Sequence, residues 1–229
     1  MQTLTFQDLG LIDYKKAWDY QEELFAKVLA GRNSENGSGR ENFLLFCEHK
    51  HVYTLGKSGQ SNNLLISDEV LKRIDATYYH INRGGDITYH GPGQIVAYPI
   101  IDLEFFKISL KEYIHNLEEV IIRTLKPYAI NASRLDGATG VWLDVGVPGK
   151  ERKICAIGVR ASRFVTMHGL AFNVNTNLDY FNYINPCGFV DKGVTSMKKE
   201  LGAEVDFDEV KRKLKKEFEA VFGFEAKTI

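Results

Sequence analysis

Cys187 stands in the run INPCG (184–188), behind a proline and ahead of a glycine, which predicts an exposed bend where a thiol can be reached. A thiol becomes a nucleophile as its thiolate, which requires a cation, a helix N-terminus or a base nearby. Lys153, in ERKICAIGVR (151–160), is a candidate partner, since its predicted strand neighbours Ile154, Ala156 and Ile157 are apolar and draw the amine inward. A buried ammonium is costly, and desolvation favours the neutral amine, the form that accepts a proton. A strand-end lysine that snorkels to solvent fits the same residues.

A third stretch, RGGDITYHGPGQIVAYP (83–99), holds four of the 20 glycines and two of the five prolines in 17 residues. Such density lets backbone N–H groups approach a ligand closely, and beside Arg83 they can form a nest for an anion or a carbonyl oxygen. A β-hairpin turn that needs glycine for geometry alone reads equally from the same run. It matches neither the phosphate loop GxxxxGK[ST] nor the dinucleotide pattern GxGxxG. His49, His51, His90 and His168 have the ring nitrogens of metal ligands, but no carboxylate or cysteine completes a set with metal-site spacing.

Positioning these residues falls to elements whose periods can be read. Asp13 to Leu29 predicts a helix, with Tyr14, Ala17, Trp18, Gln21, Leu24, Phe25 and Val28 three or four apart, Asp13 as cap and Gly31 as stop. RNSENGSGREN (32–42) is a turn-rich loop. FLLFCE and HVYTLG predict two short strands, Ser67 caps a short helix through Ile74, and ATYYHIN is a further strand. Gln94–Ile101 is an apolar strand, and Ser109 with Glu112 makes a capping box for a helix that ends at Pro127. YAINASR, GVWLDV, KICAIGVR and FVTMHGLAFNV follow as antiparallel strands, with Cys155 on the same face as Lys153 by simple alternation. Asp206 and Glu209 suggest a second capping box before a final helix that ends at Gly223. With no alternating βαβ units in this order, the expected fold class is α+β, a mixed β-sheet flanked by helices, as one domain over 1–229.

Composition sets outer limits. With 44% hydrophobic and 26% charged residues in 229, the chain can bury a sizeable core without disulfides or metal. A net charge of -1 gives no global attraction to nucleic acid or to an anionic membrane. Three cysteines at wide spacing, with no CxxC pair, suit a reducing compartment. The start lacks the pattern of a signal peptide, no apolar run approaches a membrane span of about 20 residues, and the expectation is a cytoplasmic protein.

Taken together, RGGDITYHGPGQIVAYPIIDL (83–103), KICAIG with HGLAFNVN (153–158 and 168–175), and NPCG with GVTSM (185–188 and 193–197) resemble the lipoyl(octanoyl) transferases, the lipoate-protein ligase B type. CEH with VYTLG near residue 50 is similar to the family's early strand pair. The resemblance implies a biotin/lipoate protein ligase-like catalytic domain that moves an octanoyl group from octanoyl-acyl carrier protein to a lysine of a lipoyl domain. Acceptors would be acyltransferase subunits of 2-oxo acid dehydrogenases and the glycine cleavage H protein. Carried onto this chain, the acyl-thioester nucleophile is Cys187, and the lysine that lowers its pKa and serves as base is Lys153. Substrate contacts fall on Arg83, Gly84, Gly85, Asp86, Ile87, Thr88, Tyr89 and His90, on Ala156, Ile157 and Gly158, and on Gly169, Leu170 and Ala171. No cofactor or metal is implied, because the donor is already activated as a thioester. An ATP-dependent lipoate or biotin ligase on the same fold is the alternative, and a carrier-binding module without chemistry is a further one that Lys153 and Cys187 argue against.

Overall fold

The computed structural model describes residues 2–32, 40–185 and 192–229. It opens on a strand the sequence did not announce, β1 (Gln2–Ile12), followed by α1 (Tyr14–Gly31) and β2 (Phe43–His49). β1 and β2 pair in parallel, so the chain begins with a βαβ unit, contrary to expectation. Only Leu4 and Phe6 of β1 are buried, which leaves no period-two stripe to read. The Asp13 carboxylate accepts from the Lys16 N–H to start α1, and Gln21, Leu24, Phe25 and Val28 bury its inner face.

A second, three-stranded sheet follows from β3 (Val52–Leu55), α2 (Asp68–Arg73), β4 (Thr77–His80) and β5 (Ile87–His90). β3 and β4 are parallel across α2, a second βαβ unit, while β5 runs antiparallel to β3. The two strands expected near residue 50 therefore belong to different sheets. Ser67 stands at the N-cap of α2 without a side-chain cap bond. The Gly91–Pro92–Gly93 step is a crossing between sheets, not a hairpin turn, because β6 (Gln94–Ile100) joins the large sheet. Gly93 has a φ of +78°, and a Cβ there would stand 2.7 Å from the Asn175 backbone.

The remaining elements are α3 (Leu103–Phe106), α4 (Leu110–Leu125), β7 (Ala132–Leu135), β8 (Ala138–Leu143), β9 (Arg152–Ser162), β10 (Val165–Asn173), β11 (Gly193–Val194), α5 (Met197–Leu201), α6 (Phe207–Phe222) and β12 (Phe224–Thr228). The large sheet runs β12-β1-β2-β6-β10-β9-β8-β7, with β11 added on β9. The capping box of Ser109 and Glu112 is complete. That of Asp206 is half made: its carboxylate accepts from the Glu209 N–H, but Glu209 turns to Lys213 at 2.6 Å.

Both faces of this mixed sheet are covered, which is why β2, β6 and β10 are buried almost throughout. On one face Leu44, Phe46 and Ile95 pack with Leu117, Val120 and Ile121 of α4 and Leu214 and Phe218 of α6. On the other, Phe43, Leu45, Cys47, Val96 and Tyr98 meet Leu24, Phe25 and Val28 of α1. Cutting Phe218 to alanine would cost about 3–5 kcal/mol by opening a cavity in the first cluster.

Candidate active site

A cavity of about 360 Å³ lies over β9 and β10, with its other walls from the 83–90 segment and from β8. That size suits a small-molecule site. Of the expected contact residues, Arg83, Gly85, Asp86, Ile87, Thr88, His90, Ala156, Ile157, Gly158, Gly169, Leu170 and Ala171 line it, and so does Lys153. Gly84 and Tyr89 do not belong to the lining. Gly84 gives its N–H to the Val159 carbonyl at 2.9 Å, which fastens the loop to β9. Tyr89 faces away, its hydroxyl 2.7 Å from His51 Nδ1 and its ring stacked on Tyr180.

Arg83 is committed to shaping its own loop. Its Nη2 donates to the Thr54 carbonyl at 2.6 Å and to the Thr54 hydroxyl at 3.0 Å, and Nη1 donates to the Gly84 carbonyl at 3.0 Å. The backbone N–H groups of Lys57 and Ser58 then close on the Arg83 and Gly85 carbonyls at 3.0 and 3.1 Å. Gly158 permits this approach, since a Cβ there would sit 2.9 Å from the Gly84 oxygen. Asp86 is held from both sides, by the Ile87 N–H at 2.6 Å and the Asn63 amide at 2.7 Å.

Tyr14, Gln94, Val96, Tyr98, Trp142, His168 and Asn173 also line the cavity and were not among the expected residues. Gln94, Val96, Tyr98, His168 and Asn173 lie within motifs quoted above, so their signal was present. Tyr14 and Trp142 arrive from distant elements and carry none. The imidazoles of His90 and His168 are neutral: burial pushes both down to about 3, helped by His49 for His90 and by Arg83 for His168. Gln94 gives its amide nitrogen to Asn173 Oδ1 at 2.9 Å, which turns its oxygen to His90 Nδ1, also at 2.9 Å, and makes that nitrogen the donor. His168 takes a left-handed φ of 58° and gives its backbone N–H to the Gln21 side chain at 3.0 Å. His49 is held apart from any metal role by the Ile12 carbonyl and the Tyr98 hydroxyl, at 2.9 and 2.8 Å. Among the described residues, no group of three His, Cys, Asp or Glu side chains is arranged to hold a metal ion.

The Lys153 ammonium lies 4.6 Å from the centroid of the Trp142 ring. Cys155 does not share its face. Trp142 pairs with Lys153 while the adjacent Val141 pairs with Cys155, so β9 carries one residue more than β8 at this point. That bulge breaks simple alternation and turns Cys155 into the core beneath α4. Burial pushes the thiols of Cys155 and Cys47 well up, which keeps both protonated at neutral pH. Cys187 lies outside the described residues. On its N-terminal side, Asn185 gives its N–H to the Asn63 carbonyl at 2.9 Å. On its C-terminal side, Lys192, Gly193 and Val194 line the cavity, and Val194 pairs with Lys153.

Residues 13–219 match the family model of the lipoyl protein ligase A/B catalytic domain. The chain belongs to that family. Within it, the chain is 58% identical over 217 residues to an octanoyltransferase of Bacteroides fragilis, covering 95% of this chain and 96% of that protein. It is 56% identical over 226 residues to an octanoyltransferase of Flavobacterium psychrophilum, covering 96% and 97%. The family fold is seen in a bipartite lipoate protein ligase from Thermoplasma acidophilum, with a TM-score of 0.72 at 16% identity, covering 100% of this chain and 88% of that one. At that identity the likeness speaks for the fold alone: a mixed sheet with flanking helices. Among the described residues, no helix is long and apolar enough to cross a membrane.

Proposed function

We propose that the chain is an octanoyltransferase in which Cys187 takes an octanoyl group from octanoyl-acyl carrier protein and passes it to a lysine of a lipoyl domain. Lys153 is the base, and residues 1–229 form one catalytic domain. The observation that carries the reading is the parallel pairing of Val194 with Lys153, which brings the chain downstream of Cys187 to the lysine on the floor of an apolar-walled cavity. Acceptors of the proposed reaction are the lipoyl domains of 2-oxo acid dehydrogenases and the glycine cleavage H protein. The free thiols of Cys47 and Cys155 suit a reducing compartment such as the cytoplasm.

In the first half-reaction the Cys187 thiolate attacks the donor thioester carbon. The tetrahedral oxyanion collapses, the carrier's sulfur leaves and takes the proton held by the Lys153 ammonium, and an enzyme thioester of similar energy remains beside a neutral lysine amine. In the second, the acceptor amine attacks that carbonyl and loses a proton to Lys153, and Cys187 leaves as a thiolate. A half-buried lysine amine, once neutral, suits the base role. Ile157 and Leu170 offer apolar surface to the eight-carbon chain, worth roughly 0.8 kcal/mol per buried methylene.

The ligase alternative requires free acid and ATP. The octanoyltransferase relatives at 56% and 58% identity favour thioester transfer over it. Initial rates at several acceptor concentrations separate the two: parallel double-reciprocal plots with no ATP dependence are expected. An absolute need for ATP with free octanoate or lipoate as donor would overturn the reading.

A further inference from the structure

Beneath the Lys153 side chain the backbone at Gly140 holds a φ of +123°, a conformation side chains rarely allow. A Cβ there would meet the Cys155 carbonyl at 2.6 Å and the Cε and Cδ of Lys153 at 3.3 and 3.5 Å. The lysine stem thus lies across the face of this glycine, in space that any larger residue would fill. Glu118 of α4, nearly buried and bound to Arg134 at 3.1 Å, accepts the Gly140 N–H at 3.1 Å and fixes that backbone from below. Two residues on, the Trp142 ring receives the ammonium at 4.6 Å, and its own indole N–H is secured by the Ala138 carbonyl at 2.9 Å. The bulge places Trp142 directly opposite Lys153, where a regular ladder would put a different residue.

We propose that Gly140 and Trp142 are positioning residues that seat Lys153: the glycine clears the path of its stem and the indole face sets where its amine stands in the cavity. The proposal rests on Lys153 being the base of octanoyl transfer. The ring quadrupole favours the ammonium, so the seat steadies the lysine while it carries the proton taken from the acceptor amine, until the next carrier thiolate takes it up. An alanine at 140 has to displace the Cys155 carbonyl at 2.6 Å, on the strand that carries Lys153, and crowds the lysine Cε at 3.3 Å. An aliphatic residue at 142 removes the cation's partner but leaves an apolar wall.

The experiment compares Gly140→Ala, Trp142→Phe and Trp142→Leu with the unaltered protein in two readouts, with circular dichroism and thermal melting to select folded variants. In the first, kcat and KM are measured against octanoyl-acyl carrier protein across pH. Gly140→Ala and Trp142→Leu are expected to lower kcat by about 100-fold, within the range of a lost general base, with KM changed less than about threefold. Trp142→Phe, which keeps an aromatic face, recovers most of the rate, and the acid limb of the pH profile moves only in Trp142→Leu. In the second, lysines are dimethylated with ¹³C-formaldehyde, and the Lys153 methyl resonance is read by NMR. The indole ring current shifts it upfield in the unaltered protein, and Trp142→Leu returns it to the ordinary lysine position. An ordinary resonance in the unaltered protein, or a normal kcat in Gly140→Ala and Trp142→Leu, overturns the seat. Octanoyl transfer absent from the unaltered protein, with the shifted resonance present, overturns the base role of Lys153 and leaves the seat standing.

Discussion

Val194 pairs in parallel with Lys153, and the N–H of Thr195 closes on the Lys153 carbonyl at 2.9 Å. The pairing adds a two-residue strand to β9 where the bulge has already turned the lysine toward the cavity. Arg152, the next residue back, is locked to Glu200 of α5 at 2.7 Å. The strand that carries Lys153 is thus gripped on both sides, by β8 and by the segment downstream of Cys187.

If Lys153 must move a proton, its replacement is not a matter of charge. Lys153→Ala should lower transfer by about 10²–10⁴-fold with the fold intact. Lys153→Arg should not restore it, because a guanidinium stays protonated to above about pH 12. Steady-state rates of the two variants check this, and a near-normal rate for the arginine variant would show that positive charge suffices.

The Gly158 position tests how the 83–90 segment meets β9. In Gly158→Ala the new methyl would press on the Gly84 oxygen at 2.9 Å and the Arg83 Cδ at 3.2 Å. Lifting the loop breaks the Gly84–Val159 hydrogen bond, a net loss of about 1 kcal/mol. The KM for the octanoyl donor should rise by about tenfold, and an unchanged KM would show that the loop does not shape donor binding.

The stretches 83–90, 156–158 and 169–171 that supply much of the cavity lining were legible as motifs because each is contiguous in sequence. The faces of α1, α4 and α6 were legible because one period governs each, the Ser109–Glu112 capping box from its local spacing, and the hairpin of β9 and β10 from two apolar runs adjacent in sequence. β1 and β12 were not, since β1 buries only Leu4 and Phe6, and its partner strand begins at Phe224, at the other end of the chain. Cys155 was placed on the wrong face because alternation assumes no extra residue, and the bulge opposite Val141 and Trp142 is set by packing between strands. Tyr14 and Trp142 reach the cavity through tertiary contacts that no local pattern encodes.

Acid should unfold the protein through its buried imidazoles. His49 is lowered by burial from 6.5 to about 4, and His90 and His168 to about 3, so the native state binds fewer protons than the unfolded chain below about pH 6.5. Their stabilising effect is complete above 6.5 and is lost as the pH falls toward 4 and then 3. With three such groups the slope approaches about 4 kcal/mol per pH unit. Urea denaturation at pH 7, 6 and 5 measures it, and a stability that stays flat over that range would contradict neutral buried histidines.

The most direct measurement is intact-mass and peptide mass spectrometry after incubation with octanoyl-acyl carrier protein, without acceptor and without ATP. One octanoyl unit is expected per chain, on the peptide containing Cys187, and it should disappear when a lipoyl domain is added. Cys47 and Cys155, buried and held protonated, should carry none. An active protein with no covalent octanoyl group, or with the group on Cys155 or Cys47, would contradict transfer through Cys187.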